Sequence, residues 1–476
     1  MALPASPHLS RLAYPRQLRL RWLPARAALP AAAFACIAVL LGAAAGQRSC
    51  FAAAPASSCR SDIRVLYGLR ALASHAFPYV HPWRFGLPHG TVEYPVLTGL
   101  FAWACGRVVT TGQAFMVVTV VLLATVALAT TASLYRRFGL RCLLFAGAPT
   151  VALSAFQNWD LLAVAATVGG LLAYSRRRPV EAAAWFAVGA CLKVYPALFL
   201  IVLLAEHWQL GWRALARIAF AGTAVVAVVA GPFLLVWRGG LFEVVGFQNS
   251  RPDDISGGSL WAAFASRLPL GLINLGALVA LLAALAVTLR LASQVRDRTG
   301  SYPFVQACAV LTFALILTAK ASSPQYSLWI LPFFVFLRVR PVWWCLFAAT
   351  DIYFHQTLFG VLAAHPGFLV ASQSPALVTA IVIRSALLVV FAVAFWRSAP
   401  TPSLETCDAR WPTASAAVAA SSASRTAAAS DVDIAVACAI GTTNAASSAQ
   451  AVTRGQRRRP LSQRSNSSAQ ATSEAP

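Results

Sequence analysis

Residues 27–46 read AALPAAAFACIAVLLGAAAG, a run with no charged side chain. A helix needs about 20 apolar residues to cross the hydrocarbon core of a bilayer, so this run is a complete span by itself. Arg11, Arg16, Arg19, Arg21 and Arg26 precede it. Arginines are retained on the cytoplasmic side, and a long basic leader followed by further spans favours an uncleaved anchor over a cleaved signal peptide. The N-terminus, residues 1–26, is then inside, and the loop that follows, 47–113, is outside.

Working outward, the chain of 476 residues is 59% hydrophobic and 11% charged, with a mean hydropathy of +0.67. Further apolar runs lie at 114–134, 140–156, 158–174, 180–192, 194–206, 214–237, 271–292, 303–319, 326–338, 341–360 and 375–397. With the first run they predict an all-α, polytopic membrane protein of about twelve transmembrane helices. Alternating the sides places YRRFGLR, SRRRP, EHWQLGWR, RLASQVRDR, RVRP and WRS inside, as the positive-inside rule requires. The formal charge of +23 is distributed among these clusters, which gives no footprint for nucleic acid. Glu93–Val109, EYPVLTGLFAWACGRVV, must be kept out of the count, or Arg136, Arg137 and Arg141 would fall outside; it reads as a helix at the outer surface of the membrane. Pro196 in CLKVYP predicts a break between two short helices, a feature tolerated at membrane depth where it lines a cavity. Residues 398–476, rich in Ala, Ser and Thr, read as a disordered cytoplasmic tail, which leaves 27–397 as the membrane domain.

Ten cysteines show no C-x-x-C spacing, so neither a zinc nor a redox motif is expected. Cys50 and Cys59 share the outer loop, where a disulfide is chemically allowed; compartment alone leaves the pairing open.

Ten acids precede the tail. Glu181, Glu206 and Asp297 sit in or beside basic inside loops, and Glu243 in an outer loop; all four read as solvated or arginine-paired charges. The remaining six gather on the outer side: Asp62 in SSCRSDIRVLYGLR (57–70), Glu93, Asp160 in FQNWDLL, Asp253 and Asp254 in NSRPDDISGG, and Asp351 within a span, with His355 one turn further on the same face. Lys193 and Lys320 are at outer ends of spans, and Arg60, Arg64, Arg70 and Arg251 are in outer loops. Each lysine alone can be explained by snorkelling to the interface. An outward cavity lined by both signs accounts for all of these charges together, because an ionisable group left in hydrocarbon is costly.

A lipid-linked sugar phosphate needs such a cavity. Transfer of its sugar to a hydroxyl requires a carboxylate to take the proton and cations to hold the departing phosphate, and an aromatic such as Trp83 or Trp159 can stack on the sugar. One base suffices for inversion, since phosphate leaves with little acid help.

The ordered motifs CRSDIRVLYGLR, PYV, VEYPVLTG, NWDLLAV, CLKVYPALFL and KASSPQYSLWILP resemble those of the actinobacterial polyprenyl-phosphate-mannose-dependent alpha-(1,2)-mannosyltransferases (glycosyltransferase family 87-like) of the GT-C superfamily, from about Cys59 to Pro332. The resemblance implies a GT-C-like fold and an active site facing out of the cytoplasmic membrane, with both termini cytoplasmic. The implied reaction is inverting transfer of mannose from polyprenyl-phosphate mannose to a glycolipid or cell-wall glycan. Asp62, in the first outer loop, is implied as the general base. The competing local reading makes Asp62 a partner of Arg60 or Arg64, or a cap of a helix starting at Ile63. Glu93 and Tyr94 are assigned either to the acceptor side or to the start of the surface helix. Asn158 and Asp160 are assigned to sugar hydroxyls or to holding Lys193. Lys193, Arg251, Lys320, Gln325 and Tyr326 are the phosphate-side candidates. No cofactor and no metal is expected, and the partners are membrane lipid, donor and acceptor. The arginines around Asp62 are expected to depress its pKa. A transporter or flippase of lipid-linked sugars is the rival reading; it also needs a mixed-charge cavity, but no internal repeat supports it. A third reading is a relative that binds lipid-linked sugar without catalysis, and the presence of Asp62 counts against it.

Overall fold

The computed structural model describes residues 25–52, 59–70, 72–80, 93–236, 238–250, 258–264, 267–364 and 374–401, all within the compact unit Met1–Ala414. A second unit, Ser415–Pro476, lies outside the described residues, as do the arginines of the N-terminal leader up to Arg21, Trp83, Arg251, Asp253, Asp254 and the tail from residue 402. Among the described residues the architecture is all-helical, with one extended pairing between Leu337 and Pro400.

The first helix, α1 (Ala25–Gly46), is followed by a segment carrying α2 (Arg48–Phe51), α3 (Asp62–Leu69) and α4 (Val96–Arg107). A disulfide joins Cys50 to Cys59 across this segment. At 1.5 Å per residue α4 is about 18 Å long, too short to cross the hydrocarbon core. It starts directly after Pro95, whose missing N–H costs nothing at a helix start.

Among the described residues five stretches are long and apolar enough to cross a bilayer: Ala27–Gly46 of α1, Gly112–Ala146 opened by α5 (Gly112–Phe138), α11 (Trp212–Val236), α13 (Leu270–Thr299) and α17 (Pro375–Trp396). Shorter apolar helices stand between them: α8 (Asp160–Ser175), α9 (Pro179–Leu192), α10 (Ala197–His207) and α14 (Phe304–Thr318). α12 (Arg238–Ser250) follows α11, and α16 (Pro341–Ala364) carries Asp351 and His355. The protein is a multi-pass membrane protein in which, among the described residues, full-length spans stand beside shorter apolar helices. α13 exposes Leu272, Leu275, Leu278 and Leu282, the lipid-facing surface such a chain requires.

Two predicted spans are broken. Residues 140–156 divide into a 3-10 turn, α6 (Leu143–Ala146) and α7 (Pro149–Ser154), because the chain must leave the helix before Pro149. Residues 326–338 fall within a 3-10 turn, Pro324–Trp329, and the short α15 (Leu331–Phe336), with prolines at both starts. Every residue of α15 is buried. Its terminal carbonyls are met by Arg141, which donates to Phe334 and Val335, each at 2.8 Å, and to Leu337. The break expected at Pro196 is present between α9 and α10.

Residues 398–401, which composition groups with the tail, are hydrogen-bonded to the rest of the fold. Arg338 N donates to Ala399 O at 2.8 Å and Thr401 N to Phe336 O at 3.1 Å, so residues 398–401 fold back against the α15–α16 link. Of the acids read as solvated, Glu181 pairs with Arg178 at 3.3 Å and Asp297 lies 3.9 Å from Arg296. Glu206 is more enclosed, accepting from Tyr174 Oη at 2.7 Å. Glu243 falls in α12, with its side chain outside the described residues.

α1 packs on α5 and α7, α8 on α9, α9 on α11, and α14 and α16 on α17. The Pro324–Trp329 turn lies against α7, α8 and α16. The starts of α3 and α8, the end of α9 and this turn therefore meet, and the chemistry-bearing residues gather there.

Candidate active site

Asp62 is the first residue of α3, and its backbone N–H donates to Gln157 O at 2.8 Å. Ser61 Oγ donates to Phe156 O at 2.6 Å, so the entry to α3 is strapped to the turn before α8. From that turn Asn158 Nδ2 donates to Asp62 Oδ2 at 2.9 Å and to Tyr94 Oη at 2.7 Å. The Asp62 side chain remains exposed. Close surrounding protein nevertheless pushes its carboxyl up to about 6, with Glu93 and Asp160 adding to the rise and the Asn158 hydrogen bond and Lys193 opposing it. Accessibility together with a raised pKa describes a carboxylate on the wall of a cleft, open on one side and deprived of bulk water on the others.

The arginines do not hold Asp62 as the sequence suggested. Arg70 forms a buried ion pair with Glu93, the Arg60 guanidinium lies over the Phe359 ring at 5.5 Å, and that of Arg64 packs against Gly112. The expected depression of the Asp62 pKa is therefore reversed.

Four residues of the EYPVLTG motif make specific contacts. Glu93 accepts from Arg70, which anchors the approach to α4. Tyr94 is buried and meets Trp159 edge-on at 5.3 Å. Thr98 Oγ1 donates to Leu192 O at 2.6 Å, tying α4 to the end of α9. Gly99 admits Tyr79, whose hydroxyl stands where a Cβ would be and donates to Tyr94 O at 2.8 Å.

Asp160 opens α8, where the helix dipole favours an anion. It is fully buried, accepts from Trp329 Nε1 at 2.7 Å through Oδ1, and faces Lys193 Nζ at 3.3 Å through Oδ2. Lys193 follows the last turn of α9, and its ammonium lies 4.8 Å from the centroid of the Tyr94 ring and 5.8 Å from that of Tyr326. Trp329 is stacked between Tyr195, at 4.3 Å, and Tyr326, at 4.0 Å. Gln325 is buried in the same 3-10 turn, and Lys320 is half-buried in the link from α14 to it.

The structure thus joins Asp62, Tyr94, Asn158, Asp160, Lys193 and Tyr326 in one cluster, with Glu93 behind it. Arg251 is outside the described residues. Asp351 and His355 do not pair with each other: Ser327 Oγ donates to Asp351 Oδ1 at 2.5 Å, and His355 Nε2 lies 2.6 Å from Gln157 Nε2. Trp329 and Gln157, whose roles are set by tertiary contact, were not legible. Arg384 was overlooked although the signal was present, a lone charge inside the apolar run 375–397; it donates to Ser327 Oγ at 3.2 Å and lies 3.5 Å from Ser322 Oγ.

Residues 92–324 match the family model of glycosyltransferase family 87. The matched segment is a little under half of the chain and holds Glu93, Tyr94, Asn158, Asp160, Lys193 and Lys320, while Asp62 precedes it. No curated protein matches the sequence. Among solved structures, ArnT from Cupriavidus metallidurans bound to undecaprenyl phosphate is similar at 15% identity, covering 77% of this chain and 78% of that one, with a TM-score of 0.39.

Proposed function

We propose that this protein is a GT-C-like membrane glycosyltransferase that moves mannose from polyprenyl-phosphate mannose to a glycolipid or cell-wall glycan at the outer face of the cytoplasmic membrane. The observation that carries the reading is the accessible Asp62 carboxylate, fixed by Asn158 and lifted to about 6. The match of residues 92–324 to a glycosyltransferase family supports it independently.

In this reaction Asp62 takes the proton of the acceptor hydroxyl as its oxygen attacks the anomeric carbon. The bond from that carbon to the phosphate oxygen breaks, and the phosphate leaves on its lipid. A base with a pKa near 6 is ionised at neutral pH yet basic enough to receive a proton in the transition state. Lys193 supplies positive charge to the departing phosphate, and Lys320, Arg251 and Gln325 are further phosphate-side candidates. Tyr326, partly exposed beside Lys193, gives aromatic surface for the sugar. Attack from the face opposite the phosphate inverts the anomeric centre. The reaction as written needs no metal and no cofactor.

The test is transfer of labelled mannose from polyprenyl-phosphate mannose into a lipid extract by membranes carrying wild type or Asp62→Asn at matched levels. Wild-type transfer that falls at least about a hundredfold in the variant is the expected result, the range for loss of a general base. Equal transfer by both proteins removes Asp62 from that role, and no transfer by folded wild type rejects mannose as the donor sugar.

A further inference from the structure

The turn Gln157–Asn158 touches Asp62 twice, through the Gln157 carbonyl at 2.8 Å from Asp62 N and through Asn158 Nδ2 at 2.9 Å from Asp62 Oδ2. What holds the turn from the other side is His355. Its Nε2 lies 2.6 Å from Gln157 Nε2, both side chains are buried, and among the described residues this hydrogen bond ties α16 to the turn. Among the described residues Gln157 Oε1 has no hydrogen-bond partner, so the His355 contact is made through the amide nitrogen. His355 is in turn backed by the Phe359 ring at 4.6 Å, over which the Arg60 guanidinium lies.

We propose that His355 is a positioning residue for Asp62: through Gln157 it fixes the turn that aims the Asn158 amide at the reacting carboxylate. The inference rests on Asp62 being the base. Gln157 and Asn158 are adjacent, so a rotation of the turn that follows loss of the His355 bond moves Asn158 with it. An amide donor to a carboxylate favours its charged form, and misdirecting that donor leaves the carboxyl protonated to higher pH. The other groups that act on Asp62 come from different elements: Glu93 before α4, Asp160 at the start of α8 and Lys193 after α9. Arg60 is the charge that faces His355. None of these is altered by removing the His355 ring nitrogens, so the effect runs through Gln157.

The experiment compares wild type, His355→Phe, His355→Gln, Gln157→Leu and the double variant His355→Phe/Gln157→Leu in detergent-solubilised full-length protein. One readout is the pH dependence of mannose transfer from synthetic polyprenyl-phosphate mannose. The other is independent of turnover: labelling of protonated Asp62 by a carbodiimide at a series of pH values, quantified by mass spectrometry. His355→Phe and Gln157→Leu are expected to move the Asp62 midpoint upward by about half a unit or more, the size of effect a lost hydrogen bond to a carboxylate has. The double variant matches either single one, and His355→Gln, which keeps a hydrogen-bonding group, restores the wild-type midpoint. An unchanged midpoint in both single variants, or additive shifts in the double one, overturns the proposal. A shifted midpoint with no transfer by wild type leaves the positioning role standing and rejects mannose as the donor sugar instead.

Discussion

Lys193 Nζ lies 3.3 Å from Oδ2 of an Asp160 carboxylate that is fully buried. The other oxygen of Asp160 is taken by the Trp329 indole, so the ammonium and the indole together compensate one buried charge. Removing the ammonium strands that charge, and breaking a buried pair in this way costs about 3–5 kcal/mol. Lys193→Ala is therefore expected to melt well below wild type, whereas Lys193→Ala/Asp160→Asn recovers much of the loss because no charge is left unpaired. Thermal melts in detergent measure both. A single variant that melts with wild type would show that the pair contributes little to the fold.

Asp62 obeys the opposite logic. Its carboxyl titrates near 6 in the folded protein against 3.8 for the unperturbed group. The folded state therefore holds the Asp62 proton more tightly than the unfolded chain. Its contribution favours folding below about pH 3.8 and is lost as pH rises through about 6. Asp62→Asn cannot ionise, and at pH 7.5 it is expected to melt at or above wild type while transfer collapses; near pH 5 the two melting temperatures converge. Wild-type transfer itself should fall tenfold per pH unit below an acid limb near 6. A variant that melts below wild type at pH 7.5 would make Asp62 a structural residue.

The sequence and the structure agree most closely where polar residues interrupt apolar runs. Asp160 and Lys193 stood out as charges at the ends of apolar runs, Asp62 as a rare acid in the first outer loop and Asn158 as part of NWDLLAV, and the fold brings all four together. Glu93 was equally conspicuous, but its partner Arg70 is 23 residues away in sequence, and no local periodicity encodes that meeting. Trp329 is one of 14 tryptophans and is distinguished only by its stacking between Tyr195 and Tyr326. The broken helices around Pro149 and Pro324 read as spans because hydropathy measures burial without distinguishing lipid from protein, and α15 is buried in protein.

The Cys50–Cys59 bridge lies directly before Asp62, the proposed base. Cys59 Sγ accepts from Ser61 N at 3.3 Å, and Ser61 is the residue strapped to Phe156. Closing so short a loop stabilises the fold by about 2–3 kcal/mol in the chain-entropy account. Cys50→Ser/Cys59→Ser is expected to lower the melting temperature and to reduce transfer severalfold by loosening the entry to α3. Maleimide labelling with and without reductant, on protein purified from cells, tests the bridge itself. Two additional reactive thiols after reduction of wild type, absent in the variant, are the expected result. Because such bridges persist outside the cytoplasm, equal labelling with and without reductant would argue against an extracytoplasmic loop.

Behind the site, Arg384 of α17 and Asp351 of α16 share Ser327, which donates to Asp351 at 2.5 Å and accepts from Arg384 at 3.2 Å. Arg384 also lies over the Phe354 ring at 4.4 Å, and all three polar residues are buried. Ser327 belongs to the Pro324–Trp329 turn, so this opposite-charge pair fixes the element that presents Tyr326 and Trp329 to Lys193 and Asp160. Arg384→Met takes away the cation that acts on the buried Asp351 carboxyl and is expected to destabilise the protein, by up to about 3–5 kcal/mol. Adding Asp351→Asn removes that carboxyl, so Arg384→Met/Asp351→Asn should be more stable than Arg384→Met alone. The recovered fraction measures their coupling, because residues in one buried network are not additive. If the double variant is less stable than the single by the full cost of Asp351→Asn alone, the two residues act independently and the turn is held by packing instead.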